Sequence, residues 1–328
     1  MVRYVIRRLL IVPPLILVFS VIIFIIIQAP PGDFLSAYIA QLAAQGSNVS
    51  MDQAENLRQQ YGLNEPLIVQ YFLWMGNLLQ GNLGISLDMR QPVATIIADR
   101  LPATLLLAGL SFTVTWILAV PMGVISAVRQ HSFLDYLFTV ISYVGVATPN
   151  FMIALVLLWY VLSNFGINLS GLQSADMVGE PLSFAVVLDL LNHLWIPVLI
   201  LALDGTARLS RIMRANLLDE LGKPYVEAAR ARGLSEWDLI IRYPVRMALN
   251  PLISTVGWYL PRLFSGSLIV ATVMNIPSIG PTLLRALTSQ DMFLAGSILM
   301  IYSILVIIGT LISDLLLAFV DPRIRFEA

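Results

Sequence analysis

The chain has 328 residues, of which 58% are hydrophobic and only 12% charged, and its mean hydropathy is +0.83. A soluble domain carries about twice that share of charge, so one water-facing core is excluded and most apolar residues belong to bilayer-crossing segments. The absence of cysteine excludes disulfides and thiolate metal sites. The net charge of −1 is uninformative about partners, whereas the placement of the charges is not.

In chain order, Arg3, Arg7 and Arg8 precede the first apolar run, residues 9–29, which Pro30-Pro31-Gly32 ends abruptly. A cleaved signal peptide is the competing reading. The run has the length of a span and no small-residue cleavage pattern follows, so an uncleaved helix is favoured. Residues 1–29 thus form a cytoplasmic tip and a first transmembrane helix. Residues 30–100 are the one long polar insertion, placed outside. Within it, residues 52–61 predict a short polar helix stopped by Gly62. Leu67, Tyr71, Met75 and Leu78 then recur at helical spacing before Gly81-Asn82-Leu83-Gly84 turns the chain. Such a helix packs as a lid, receives a substrate carrier, or lies along the lipid interface.

Residues 101–320 hold five further charge-poor segments: 101–128, 136–165, 188–203, 252–276 and 292–320. Each is measured against the roughly 20 residues a crossing helix needs. The segment 188–203 is the weakest, because Asp189, His193 and Asp204 crowd its ends. No alternating ten-residue strands occur, so the expected fold is all-α, a polytopic bundle of six transmembrane helices. Six crossings from a cytoplasmic start place Arg129, the stretch 208–250 and the tail 321–328 (with Arg323 and Arg325) in the cytoplasm. Only Arg58, Arg90, Arg100 and Arg285 fall outside. This basic asymmetry agrees with the crossing count.

The cytoplasmic stretch reads Tyr225-Val226-Glu227-Ala228-Ala229-Arg230-Ala231-Arg232-Gly233-Leu234. Pro224 suits a first helical turn, Glu227 the positive end of the helix dipole, and Arg230 and Arg232 the negative end. Gly233 supplies a left-handed stop. Ala228 and Ala229 carry no bulk, so another protein can approach the backbone. Ser235 then caps a second short helix, with Leu234 and Leu239 spaced as a staple across it. Pro244 and Pro251 are expected to break the helix before the fifth span. The expected element is a rigid elbow; an ordinary solvated loop helix is the bland alternative.

Chemistry is otherwise missing. Lys223, the single lysine, lies in Leu-Gly-Lys-Pro, so no phosphate-binding P-loop exists here, and ATP binding, if the function needs it, must be supplied by another polypeptide. His131 and His193 are placed on opposite sides of the membrane and cannot share a metal. No serine-hydrolase elbow or zinc-protease motif occurs. One charge stands out: Arg262 is alone in an uncharged run from 248 to 284. At 1.5 Å per residue it lies about 17 Å beyond Pro251. There it bonds carbonyls freed by Pro261, pairs with a carboxylate of a second subunit, or lines a pathway with Ser265 and Gly266.

The loop from Tyr225 to Leu234 resembles the "EAA" coupling loop of bacterial ABC importer permeases. Further motifs extend the resemblance over nearly the whole chain. They are Tyr61-Gly62-Leu63-Asn64-Glu65-Pro66-Leu67, Gly81-Asn82-Leu83-Gly84-Ile85-Ser86, Arg100-Leu101-Pro102-Ala103-Thr104-Leu105, Thr148-Pro149-Asn150-Phe151 and Asp321-Pro322-Arg323-Ile324-Arg325. In this order they resemble the first permease subunit of dipeptide, oligopeptide and nickel importers. Four departures stand out: Tyr243 in place of His, Ala271 in place of Glu, Pro277-Ser278-Ile279-Gly280 in place of Pro-Gly-x-Gly, and Arg262 in place of an apolar residue.

The resemblance implies a methionine-importer-like permease fold in the bacterial inner membrane. It implies a second, homologous permease in a heterodimer, two cytoplasmic ATPase subunits and an extracytoplasmic substrate-binding protein, with membrane lipid around them and no nucleic acid. ATP and Mg belong to the ATPases, so this chain carries no cofactor and no catalytic residue. Tyr225, Glu227, Ala228, Ala229, Arg232, Gly233 and Leu234 are the implied coupling residues. Cargo stays open between peptide, oligosaccharide and nickel. An ion-coupled secondary transporter is the reading from another class. It is disfavoured because internal repeats and membrane carboxylates are scarce.

Overall fold

The structure, a computed structural model, describes residues 2–29, 64–181 and 183–320. Eleven α-helices run through the described residues: α1 Val2–Gln28, α2 Leu67–Leu79, α3 Val93–Val128, α4 Phe133–Ala147, α5 Asn150–Phe165 and α6 Phe184–Leu221, then α7 Pro224–Ala231, α8 Glu236–Arg242, α9 Pro244–Val273, α10 Ile279–Thr288 and α11 Met292–Val320. Four of them (α1, α3, α6 and α11) are long and apolar enough to cross a bilayer alone, and counting each bent pair as one broken span gives six. The all-α expectation holds. The expected polar helix at 52–61 and the tail at 321–328 lie outside the described residues.

Several boundaries differ from the expected segments, beginning with α3, which starts at Val93 and not at 101. The segment 136–165 is not one straight helix, because α4 and α5 meet at 102°. Pro149 has no N–H and bars the residue before it from helical torsions; Thr148 accordingly sits at φ −97, ψ 125. The short fourth segment is part of the 38-residue α6, which runs on to Leu221 with Pro197 inside it. Its polar second half is held by packing, so hydropathy alone stopped too early. Pro251 does not break α9, which begins with Pro244 in its first turn and bends instead by 63° between Gly257 and Arg262. The helix α10 carried no span-length signal and was not foreseen.

The chain divides into two compact units. The larger centres on Ala103–Pro277. In it α6 is the central helix, with α4 and α9 packed along it, and Met213, Leu217, Ala248 and Leu252 close one core cluster. At Gly205 the approach of α9 is so close that an added Cβ would lie 1.8 Å from the Tyr259 hydroxyl oxygen. The missing side chain lets Tyr259 pass and reach the hydroxyl of Thr115 at 2.8 Å.

The smaller unit takes Ser278–Leu305 together with the described residues between Arg7 and Pro102. Its main core joins Val93, Ile96 and Ile97 to Ile279, Leu283, Leu294 and Ile298. The turn after α2 is tied down by Asp291, fully buried, which accepts from the Ser86 hydroxyl at 2.5 Å and the Asp88 N–H at 3.2 Å. The α2 expectation holds for Tyr71 and Leu78, which pack beside the buried Trp74, and Met75 is half-buried. It fails for Leu67, which is 58% exposed along with Ile68, Phe72 and Leu79. Both faces of α2 are apolar, so spacing alone could not pick the buried one.

Candidate functional site

The first site is the cytoplasmic elbow. Helix α7 begins with Pro224, carries Glu227 in its first turn and Arg230 in its last. Gly233, at φ +81, supplies the left-handed residue that ends it. The hydroxyl of Ser235 accepts the Asp238 N–H at 3.3 Å and so opens α8. Val226, Ala229, Leu239 and Ile240 bury one another, with Tyr225 and Leu234 packed alongside and Val128, Leu221 and Val245 behind them. Arg230 bonds Glu236 across the corner, Nε to Oε1 at 2.6 Å and Nη2 to Oε2 at 3.2 Å. That bond holds the Glu236 carboxyl below its ordinary range. The Tyr225 hydroxyl donates to Glu220 at 2.6 Å. Burial, then this bond, pushes its pKa up, so it stays a donor at physiological pH.

The seven expected coupling residues therefore divide. Glu227, Ala228, Arg232 and Gly233 are exposed, whereas Tyr225, Ala229 and Leu234 face the chain's own interior. The small size of Ala229 lets α7 pack on this chain, whereas Ala228 is exposed. The sequence reading missed Trp237 and Ile241, which are 52% and 58% exposed one turn apart on α8. An apolar pair four residues apart on α8, beside the buried Leu239 and Ile240, was the available signal.

The second site is a half-open recess of about 250 Å³ in the larger unit, walled by the α4–α5 corner, α6 and α9. Arg262 and Gly266, one turn apart on α9, line it; Ser265 is exposed and does not. The partner of Arg262 is Asp204 of this same chain. Nε and Nη2 both reach Asp204 Oδ2 at 3.2 Å. This carboxylate of the chain's own was not among the partners expected from sequence, freed carbonyls and a second subunit. Arg208, one turn on from Asp204, donates from Nε to Oδ1 at 3.1 Å, as their spacing predicts. One carboxylate thus bridges two guanidiniums. The pairing joins positions 58 residues apart, and no local pattern announces it. Among the described residues no group of three His, Asp or Glu could hold a metal ion.

Comparison with known proteins decides the family. Residues 119–326 match the family described as the inner membrane component of binding-protein-dependent transport systems, and residues 1–108 match its N-terminal region. The chain belongs to this family. It is a transport permease. It is 36% identical to a putative peptide permease protein of Brucella suis, with 99% of each chain covered. It is 34% identical to the oligopeptide transport system permease protein AppB of Bacillus subtilis, covering 99% of this chain and 100% of that one. Against the dipeptide transport system permease protein DppB of Lactococcus lactis identity is 28%, with 99% and 100% covered. Among solved structures it resembles an inward-facing MetNI methionine ABC transporter, with a TM-score of 0.53 and 17% identity, over 70% of this chain and 98% of that one. That likeness concerns the fold and agrees with the expected permease architecture.

Proposed function

We propose that this permease is one membrane subunit of an ATP-driven importer of peptides. It forms half of the translocation pathway beside a second, homologous permease. The observation that carries the cargo reading is the end-to-end match to relatives named as peptide, oligopeptide and dipeptide permeases. Two ATPase subunits bind and hydrolyse ATP, a binding protein delivers cargo from outside, and both termini of this chain lie in the cytoplasm.

The elbow supports the coupling role by its construction. A lever must move as a unit, and α7 and α8 share one buried cluster with the ends of α3 and α6 and the start of α9. Closure of the ATPases on ATP pushes the exposed face of Glu227, Ala228, Arg232 and Gly233. The buried cluster passes that displacement to three long helices, which swing between inward- and outward-open states. Arg262 and Gly266 belong to the pathway wall in this reading.

The test is uptake by the complete transporter in proteoliposomes, with peptide, oligosaccharide and nickel offered in parallel. Peptide uptake that requires ATP and is blocked by vanadate is the expected result. Uptake driven by an ion gradient without ATP, or confined to sugar or nickel, refutes the proposal.

A further inference from the structure

In the recess of the larger unit one carboxylate stands between two guanidiniums, so the cluster carries one positive charge more than it neutralises. The covered member is the anion. Asp204 is 18% exposed, against 35% for Arg208 and 48% for Arg262. Accessible donors around a sheltered acceptor favour a second anion, not a cation. A guanidinium has five N–H donors. The contacts with Asp204 use Nε and Nη2 of Arg262 and Nε of Arg208, which leaves the other edge of each fork for an incoming acceptor.

A second feature of the wall agrees. Pro149 and Asn150, at the first turn of the 16-residue α5, line the same recess, and no side chain caps that helix start. The positive end of the helix dipole therefore faces the space that the two arginines face. A carboxylate entering the recess meets both.

We infer that the recess is a transient site for the carboxylate end of the transported peptide, with Arg262 and Arg208 as its contacts and Asp204 as a built-in competitor. The inference rests on the peptide-importer reading. A pathway site must bind well enough to admit cargo and weakly enough to release it. Two unpaired arginines would hold a carboxylate too long. Asp204 already occupies one edge of each, so cargo binds by partial exchange and leaves when the internal pairs re-form. No covalent step is involved. The C-terminal carboxylate is the anion common to unblocked peptides of any sequence, which suits a site serving varied cargo.

The experiment uses the complete transporter with its binding protein in proteoliposomes and compares three forms of one short peptide. These are the free acid, the C-terminal amide, and an amide carrying one glutamate. The reading is the free-acid to amide ratio in a variant divided by that ratio in wild type, which cancels discrimination by the binding protein. Arg262→Gln should lower this quotient at least fivefold, through the free-acid rate, and Arg262→Lys should restore part of it. Because Arg262→Gln changes the local charge balance, the paired Asp204→Asn/Arg262→Gln variant provides a second reading with the net charge kept. There Arg208 is freed of its competitor but Arg262 is still lost, so the quotient should fall, by less than in Arg262→Gln, in an assembled complex. An unchanged quotient in an assembled complex of either variant overturns the inference and leaves the importer reading standing. If the glutamate-bearing amide behaves as the free acid throughout, the terminal assignment is wrong. If wild type takes up no form with ATP, the importer reading itself fails.

Discussion

Replacing Gly205 with Ala tests the close approach on which the recess depends. An alanine Cβ would stand 1.8 Å from the Tyr259 hydroxyl oxygen, 2.4 Å from Cζ and 2.8 Å from Cε2. Tyr259 is 2% exposed and has no slack, so it leaves its slot or α9 moves off α6. Forcing one extra methyl into a packed interior costs about 1–3 kcal/mol. Loss of the 2.8 Å bond to Thr115 adds about 0.5–1.5 kcal/mol. A total of roughly 2–4 kcal/mol corresponds to a fall of about 5–10 °C in the thermal midpoint. The midpoint is read by gel filtration after heating the detergent-solubilised complex. Thr115→Val removes the bond to Tyr259 and the 3.3 Å one from Thr115 to the Ala202 carbonyl without adding a clash, and should lower the midpoint by about 2–4 °C. Combined, the two changes should fall short of the sum, since a displaced Tyr259 has already lost its bond to Thr115. Tyr259 lies one turn before Arg262, so uptake should fall as well. A midpoint for Gly205→Ala within about 1 °C of wild type, or effects that simply add, refutes this account of the α6–α9 contact.

The elbow gives a second prediction. Gly233→Val places a β-branched residue at φ +81, a local cost of about 1–2 kcal/mol, and Glu227→Lys reverses the charge in the first turn of α7. Both should insert normally and lose ATPase on co-purification; a fully retained complex with normal uptake excludes the coupling role. In the smaller unit, Asp291→Ala leaves the Ser86 hydroxyl and the Asp88 and Leu294 N–H groups without their acceptor. At about 1–3 kcal/mol for each buried donor, the loop at 81–92 should become open to protease, and unchanged protection counts against the anchoring role. The last prediction concerns pH. The folded-state pKa of Glu236 is lowered, chiefly by Arg230. Its contribution to the corner is therefore present above the ordinary value of 4.5 and lost as pH falls through the lowered one. Amide protection at 231–236, corrected for the intrinsic exchange rate, should fall in that acid range, and Glu236→Gln should abolish that fall.

Much of this protein was legible locally. Apolar runs too long and too poor in charge for any water-facing core marked the spans, because in a bilayer composition decides where a helix lies. The elbow was legible for a different reason. Pro224, Gly233 and Ser235 each act through their own backbone torsions or a bond three residues away, so spacing alone locates the start and end of α7 and the start of α8. The family was legible through the same loop and the ordered motifs around it.

What sequence left undecided is whatever depends on which helix lies against which. Ala229 and Ala228 are identical in sequence terms, and only packing against Leu239 and Ile240 turns one inward. The polar half of α6 is helix because neighbours hold it, not because its composition requires a span. Arg262 looked solitary in the chain, yet the bend of α9 and the close passage of Tyr259 over Gly205 bring it to Asp204, 58 residues away. Composition and local torsions act over a few residues, whereas ion pairs and close packing act through space. The recess with its surplus positive charge is therefore a product of tertiary structure alone.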